Sequence, residues 1–264
     1  MSEETNGAQR EDSNGAQRQG AAIEIAGLRK SFDDKIVLDG VNVGALPGES
    51  LVIIGGSGAG KSVLLKCILG LLSPDTGTIV VDGIDMFAAP RERRQKVRAR
   101  IGMLFQGGAL FDSQNVWRNI TFALTRGRAR NRKAMRARAV ELLEKVGLEE
   151  RVADLRPSEI SGGMQKRVAL ARAIAADPDI IFFDEPTTGL DPIRANTINY
   201  LIRGLTKDLG CTAITITHDM ASARIIADKV AMLHEGRIIW SGPVEELDHS
   251  GNDLVDRFIN GRTD

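Results

Sequence analysis

The chain has 264 residues, 42% of them hydrophobic, and its 35 lysine and arginine residues balance 35 aspartate and glutamate residues. This length and apolar content suffice for one α/β domain of ordinary size with a smaller attached subdomain. The balanced charge gives no reason to expect nucleic acid as a partner. Cys67 and Cys211 stand far apart with no Cys/His cluster beside them, so neither a disulfide framework nor a zinc site is expected.

The N-terminal residues 1–21 contain two near-copies of one octapeptide, EETNGAQR at 3–10 and EDSNGAQR at 11–18. The copies are polar and have no large apolar side chain whose burial could offset the entropy lost on ordering. We therefore predict a disordered tail, followed by one domain over residues 22–264. The polar start also lacks the pattern of a secretory signal.

From Ile23 onward, segments of strand character alternate with segments of helix character. Strands are predicted over 23–32, 35–46, 51–54, 101–106, 179–186 and 212–218, and a hairpin over 77–86. Helices are predicted over 62–72, 162–176 and 191–208. Alternation of this kind indicates an α/β fold with a parallel sheet between helices, here joined by antiparallel hairpins into a mixed sheet core with an antiparallel β subdomain.

The middle of the chain interrupts this alternation. Residues 107–160 lack strand patterning, and Met135, Ala139, Leu142, Leu143 and Val146 share one face of a helix. We therefore expect an inserted helical subdomain over about 107–175, and a short αβ tail over about 229–264. No apolar run has the length of a membrane-spanning helix, so any span at a membrane is expected to come from other chains.

A glycine-rich loop, GGSGAGKS, follows the apolar strand at 51–54 and matches the pattern GxxxxGK[ST]. Glycines allow backbone N–H groups to converge on phosphate oxygens, and the following helix directs its positive end to the same place. In this pattern the lysine contacts the β- and γ-phosphates and the final hydroxyl binds Mg²⁺. A Gly/Ser-rich surface loop is the alternative, but the strand before and the helix after it favour nucleotide binding. The predicted nucleotide-binding residues are Gly55, Gly56, Ser57, Gly58, Ala59, Gly60, Lys61, Ser62 and Val63.

Two further motifs have the chemistry that such a loop needs. Asp184 and Glu185 end a buried strand, where Asp184 can hold Mg²⁺ and Glu185 can polarise an attacking water. The sequence ISGGM starts a helix, and Ser161 is suited to cap that helix. Capping alone does not explain two glycines in the first turn, each of which costs about 1 kcal/mol of helix propensity. We interpret this helix start as a second phosphate-binding site.

In chain order the sequence presents the glycine loop, a glutamine after a strand, the SGG helix start, the DE pair, a GLDP turn at 189–192 and a strand-end histidine. Over residues 23–248 this series resembles the nucleotide-binding subunits of ABC transporters. The resemblance implies a P-loop NTPase fold of ABC type, with ATP and Mg²⁺ as cofactors and ATP hydrolysis as the activity. Coiled-coil insertions, a zinc hook or a second ATPase domain, which a non-transport ABC protein needs, are absent from the sequence.

The resemblance also implies roles for single residues. Phe32 would stack on adenine, Gln106 would sense Mg²⁺ and the γ-phosphate, and His218 would contact the γ-phosphate. Asp191 would communicate across a dimer of two copies of the chain. The trans ATP site on the second copy would consist of Ser161, Gly162, Gly163 and Met164, and the Mg²⁺ ligands would be Ser62, Gln106 and Asp184. The alternatives are a core position for Phe32 and a capped strand end for His218.

Three longer strings, at 105–116, 157–174 and 185–202, closely resemble the ATPases of Mla/Mce-type lipid transport systems. This implies an integral-membrane permease, an MCE-domain protein and sometimes a STAS-domain subunit as partners, at the cytoplasmic face of a bacterial inner membrane. The substrate would be phospholipid or another hydrophobic molecule, and the alternative is an importer of a polar solute. Because the chain ends with FINGRTD at 258–264, we expect no dimer contact through a longer tail. In the arginine-rich stretch at 126–138, Arg128, Arg132 and Arg136 share a helical face opposite the apolar one. This face is interpreted as solvated, with weak attraction to phospholipid as the alternative.

Overall fold

The structure, a computed structural model, describes residues 20–125 and 131–261. The predicted disordered tail lies almost entirely outside the described residues. The strands are β1 (Ile23–Phe32), β2 (Lys35–Ala45), β3 (Ser50–Ile54), β4 (Thr76–Val81), β5 (Ile84–Asp85), β6 (Ile101–Leu104), β7 (Ile180–Asp184), β8 (Thr212–Ile216), β9 (Lys229–His234) and β10 (Arg237–Pro243). The α-helices are α1 (Lys61–Ile68), α2 (Arg91–Arg98), α3 (Val116–Thr125), α4 (Arg132–Lys145), α5 (Gly162–Ile174), α6 (Pro192–Leu209), α7 (Met220–Ile226) and α8 (Asp253–Ile259). Short 3-10 helices span Glu150–Asp154, Pro157–Glu159 and Val244–His249.

The larger sheet has the strand order β10-β9-β3-β8-β7-β6. Strands β9, β3, β8, β7 and β6 are parallel, and β10 pairs with β9 in the antiparallel sense. Every residue of β3 and β8 is buried, as the unbroken apolar runs predict for strands covered on both faces. The predicted α/β fold with a mixed sheet core is confirmed.

Alternate residues of the central strands enter two different hydrophobic cores. Val52 and Ile54 of β3 pack with helices α3 to α7 on one face of the sheet. Leu51 and Ile53 pack on the other face with α1 and with the second, antiparallel sheet, whose order is β2-β1-β4-β5. This division follows from the two-residue period of a strand, and it places α1 between the two sheets.

Helices α3, α4 and α5 lie in the segment predicted to be helical, and they pack against one another. Ala139, Leu142, Leu143 and Val146 are buried in the core, and Met135 is partly buried against it, which confirms the predicted apolar face of α4. The boundaries of the helical subdomain stay a prediction.

The arginine-rich stretch is only in part the solvated helix face that the sequence predicts. Arg136 forms ion pairs with Glu150 at 2.8 Å and Asp154 at 2.6 Å, so it links α4 to the neighbouring 3-10 helix instead of facing solvent alone. The hydrogen bonds that Arg136 donates to Asp154 hold the pKa of the Asp154 carboxyl below its usual range. Arg128 lies outside the described residues, and α4 begins at Arg132.

Helix α2 was missed because its sequence, RERRQKVR, offers almost no apolar periodicity. Val97 is its one buried residue, and the remaining side chains are charged or polar. Among the described residues, no helix combines the length and the apolar character that crossing a membrane requires.

Replacing a core isoleucine tests the two-core arrangement. Ile53→Ala is expected to lower the free energy of unfolding by about 3 kcal/mol, because it removes buried methyl groups and leaves a cavity between β3 and α1. The matched control is Ile36→Ala on β2, where the side chain is 64% exposed. Its expected effect is within about 0.5 kcal/mol. Denaturant titration measures both, and equal effects would contradict the assigned burial.

Candidate active site

The glycine loop connects β3 to α1, and its shape depends on glycine at both ends. Gly60 caps α1 with φ 105°, a left-handed conformation, and a Cβ there would lie 2.9 Å from the backbone oxygen of Val37. A Cβ on Gly55 would lie 2.2 Å from the carbonyl oxygen of Leu233. Side chains at these positions would push the loop away from β2 and β9, so the glycines hold it against the sheet.

Lys61 lies over this loop. Its Nζ donates hydrogen bonds to the carbonyl oxygens of Gly55 at 2.7 Å and Gly56 at 2.9 Å. Burial lowers the pKa of Lys61, while the nearby carboxylates of Glu185 and Asp184 act in the opposite direction. Carbonyl oxygens therefore hold the ammonium group at the mouth of the loop. A bound phosphate could take the place of these oxygens as its hydrogen-bond partner.

The loop opens onto a cleft of about 600 Å³. The residues that line it are Gly56, Ser57, Gly58, Lys61, Ser62, Gln106, Asp184, Glu185, Ile216, His218 and Phe258. These residues come from segments far apart in the chain, but most follow or end parallel strands of the larger sheet. Because parallel strands present their carboxyl ends at one edge, the fold assembles the predicted residues of the loop, the DE pair, the glutamine and the histidine in one place.

Glu185 has the most constrained geometry of the two acids. It has φ 47°, and its backbone N–H donates to the carbonyl oxygen of Ile216 at 2.9 Å. Thr188 Oγ1 donates to Glu185 Oε2 at 3.1 Å, and His218 Nδ1 is hydrogen-bonded to Glu185 Oε1 at 2.9 Å. A non-glycine residue in the left-handed region is uncommon and is retained where the surroundings demand it. The carboxylate is thus oriented toward the cleft from both of its oxygens.

Asp184 is partly buried at the end of β7. Burial raises the pKa of its carboxyl, the charge of Glu185 adds to this effect, and Lys66, Lys166 and Lys61 oppose it. A cation beside these two acids would relieve the repulsion, and oxygen donors are what Mg²⁺ prefers. The donor set therefore fits Mg²⁺, which Asp184, Ser62 and Gln106 would hold and which would neutralise phosphate charge. Among the described residues, no group of three or more His, Cys, Asp or Glu side chains is placed to hold a metal ion, so waters and phosphate oxygens would complete the coordination.

The SGG helix start does not line this cleft. Ser161 caps α5, and its hydroxyl accepts a hydrogen bond from Met164 N at 3.4 Å. Ser161, Gly163 and Met164 line a separate depression of about 270 Å³. A Cβ added at Gly162 would meet nothing within 4 Å in this chain. Packing within the chain therefore does not account for that glycine.

Comparison with known proteins shows the family of the chain. A family model described as ABC transporter matches residues 38–188. The chain belongs to the ABC transporter family. A dimeric ATP-binding cassette in a post-hydrolysis state, bound to ADP and Pi, is 32% identical and has a TM-score of 0.75, with 84% of this chain and 98% of that chain covered. This ABC protein is accordingly an ATPase that binds ATP with Mg²⁺. Dimers of the ATPase and partnership with a membrane permease are general in the family.

Two relatives suggest different substrates. The probable ribonucleotide transport ATP-binding protein mkl of Mycobacterium leprae (strain TN) is 39% identical over 246 residues, which cover 92% of this chain and 70% of the relative. The intermembrane phospholipid transport system ATP-binding protein MlaF of Haemophilus influenzae (strain ATCC 51907 / DSM 11121 / KW20 / Rd) is 40% identical over 242 residues, which cover 92% of this chain and 91% of the relative.

Two predicted site residues of this ABC ATPase stand apart from the cleft. Phe32 ends β1 and is 43% exposed, with Lys30 Nζ 5.5 Å from its ring centroid, so it is not a core residue. Asp191 caps α6, because its Oδ1 accepts from Arg194 N at 3.0 Å. The exposed ring is available to a nucleotide base. Stacking on adenine and communication across a dimer both stay predictions.

Two residues near Asp184 and Glu185 were not predicted from any motif in the sequence. Lys166 on α5 is buried and donates a hydrogen bond to the carbonyl oxygen of Gln106. Burial lowers the pKa of Lys166, while the charges of Asp184 and Glu185 oppose this shift. The string SGGMQKR predicts the helix that contains Lys166, but it does not predict the contact of Lys166 with Gln106. Phe258 lines the cleft from α8, and no motif near it indicates a nucleotide site.

Glu185→Gln tests the assignment of the catalytic base. The amide cannot accept a proton from water, so steady-state ATPase activity is expected to fall at least about 100-fold while ATP binding persists. The matched control is Glu235→Gln, since Glu235 is exposed and has a similar φ of 45° in the turn between β9 and β10. Retention of turnover in the Glu185 variant, measured by phosphate release, would rule out this residue as the base.

Gly162→Ala tests whether the SGG helix start acts outside its own chain. Alanine is expected to leave the fold as stable or more stable, by about 0.5–1 kcal/mol, because an added methyl group meets no atom there and alanine favours helix. ATPase activity is nevertheless expected to fall at least about tenfold. The control is Gly204→Ala on α6, where a Cβ also meets nothing within 4 Å. Equal activity of the two variants would contradict a role for Gly162 in catalysis.

Proposed function

We propose that this ABC ATPase powers the movement of phospholipid or another hydrophobic molecule between the inner membrane and the periplasm. The observation that carries the proposal is the 40% identity to the phospholipid transport ATPase MlaF over 91% of that relative. The strings FQGGALFDSQNV at 105–116 and SGGM at 161–164 support the same assignment. The complex would contain a permease and an MCE-domain protein, with a STAS-domain subunit as a further candidate, at the cytoplasmic face of the inner membrane.

We further propose that two copies of the chain close around two ATP molecules. Each site would combine the loop of one copy with Ser161, Gly162, Gly163 and Met164 of the other. Two features support this arrangement: the SGG helix start lies outside the cleft of its own chain, and its first glycine faces open space. ATP shifts the population toward the closed dimer only if it binds the closed dimer more tightly than the open one. The phosphate contacts made by the second copy would supply this tighter binding.

Hydrolysis in this proposal depends on the two oxygens of Glu185. One is held by Thr188 and the other by His218, so the carboxylate can accept the proton of a water that attacks the γ-phosphorus. The water oxygen bonds to the γ-phosphorus as the bond from that phosphorus to the bridging oxygen breaks, which yields ADP and inorganic phosphate. His218 would contact the γ-phosphate, and Gln106 would connect the phosphate end of the cleft to the permease.

The second candidate function is transport of a polar solute. The mkl relative, named as a probable ribonucleotide transport protein, favours it at 39% identity. The residues of the cleft do not separate the two candidates, because ATP hydrolysis is common to both. The partner subunits and the bound molecule separate them.

Co-purification distinguishes these functions. The tagged chain is isolated from detergent-solubilised membranes of cells that produce it with its native partners, and mass spectrometry identifies bound subunits and lipids. A permease and an MCE-domain protein with enriched phospholipid are expected. The control is the same tag on an unrelated peripheral protein. Recovery of a permease with a periplasmic solute-binding protein, without the MCE-domain protein, would contradict lipid transport.

A further inference from the structure

Helix α8 brings an aromatic ring to the catalytic cleft from the C-terminal part of the described chain. Phe258 and Ile216 are the two large apolar side chains among the residues that line the cleft. Ile216 belongs to the buried core of β8 and is 1% exposed. Phe258 is only partly buried, so its ring is the apolar surface that the cleft presents to solvent and to a ligand.

The ring is held in place by the anchoring of α8. Val255 is fully buried, and the side chain of Asn252 caps the helix by accepting from Leu254 N at 3.0 Å. Asn252 Nδ2 also donates to the carbonyl oxygen of Ile239 on β10 at 3.3 Å. Ser250 Oγ donates to Asp256 Oδ1 at 2.8 Å. The helix is therefore attached to the sheet before it reaches Phe258.

The same block of structure carries His218. Asp219 follows the histidine and caps α7, accepting from Ala221 N at 3.0 Å. On α7, Arg224 forms two hydrogen bonds of 2.7 and 2.6 Å with Asp248, which lies in the 3-10 helix that leads to α8. The bidentate ion pair thus joins α7, which follows His218, to the 3-10 helix that precedes α8 and Phe258.

The contact that an apolar ring at this place would stabilise is the hydrogen bond between His218 and Glu185. The histidine side chain is 62% exposed, whereas that of Glu185 is 13% exposed, so water competes for this contact from the histidine side. Apolar surface in the same cleft excludes water and strengthens polar contacts. We propose that Phe258 is a positioning residue for ATP hydrolysis: its ring forms an apolar wall of the cleft that limits water around the Glu185–His218 pair and keeps His218 on Glu185. This inference depends on ATP hydrolysis and not on the transported molecule.

The test uses steady-state ATPase kinetics and thermal melting of the full chain. Phe258→Ala is expected to lower kcat about tenfold, with KM for ATP within about twofold of the unmodified protein, since the ring acts on the contact between His218 and Glu185 and not on the phosphate loop. Phe258→Leu keeps an apolar wall and should retain at least about half of the activity. Phe258→Gln keeps the length but admits water and should resemble Phe258→Ala. The matched control is Leu254→Ala on the same helix, where the side chain is 39% exposed and does not line the cleft.

Each outcome decides the proposal. The proposal is overturned if kcat of Phe258→Ala stays within twofold of that of the unmodified protein or rises above it. It is also overturned if Leu254→Ala loses as much activity as Phe258→Ala. If Phe258→Ala fails to fold, the comparison of the Leu and Gln variants decides instead, and equal activities would overturn the proposal. Glu185→Gln supplies the zero of the assay. The assay contains no lipid or partner protein, so failure of the lipid transport proposal would not alter its result.

Discussion

The burial of the central parallel strands on both faces is the constraint on which the rest of the structure depends. Strand β3 must cover two cores at once, because Leu51 and Ile53 face α1 while Val52 and Ile54 face the helices on the other side. A parallel arrangement of this kind presents all carboxyl ends at a single edge. The glycine loop, the acids of β7 and the histidine after β8 are neighbours for that reason, although the chain separates them widely.

The charged side chains of the cleft are partly removed from water, and their charged states are favoured by opposite charges nearby. Burial opposes ionisation of Lys61, Lys166 and the Asp184 carboxyl, and the opposite charges nearby favour it. Hydrogen bonds replace part of the lost hydration of both lysines. Lys61 donates to carbonyl oxygens of its own loop, and Lys166 donates to the carbonyl oxygen of Gln106. A triphosphate with Mg²⁺ would supply the missing counter-charges on both sides, which gives a physical reason for a strongly polar cleft in an otherwise well-packed domain.

The catalytic cleft and the SGG helix start face different surroundings in one chain. The cleft holds the loop, the acids and the histidine, whereas Ser161 and Gly163 lie beside Arg194 in a separate depression. Dimers are general in the family, and the proposed assembly would join the cleft of one chain to the SGG helix start of the other. Dimerisation is thereby part of the catalytic proposal and not an addition to it, and the glycine loop is best regarded as one half of an intermolecular site.

The sequence by itself determined the fold class, the family and the ATPase activity, because these depend on local patterns: the loop after an apolar strand, the DE pair at a strand end and the period of the apolar residues. Lys61, Asp184 and Glu185 were predicted from the chemistry of their motifs, whereas Gln106 and His218 were assigned through the resemblance to the family. The approach of Phe258 and Lys166 to the cleft, the pairing of Arg136 and the helix α2 were decided only by the tertiary structure. Each depends on contacts between segments distant in the chain, or on a helix stabilised by its neighbours, and such contacts leave no periodicity or motif in the sequence.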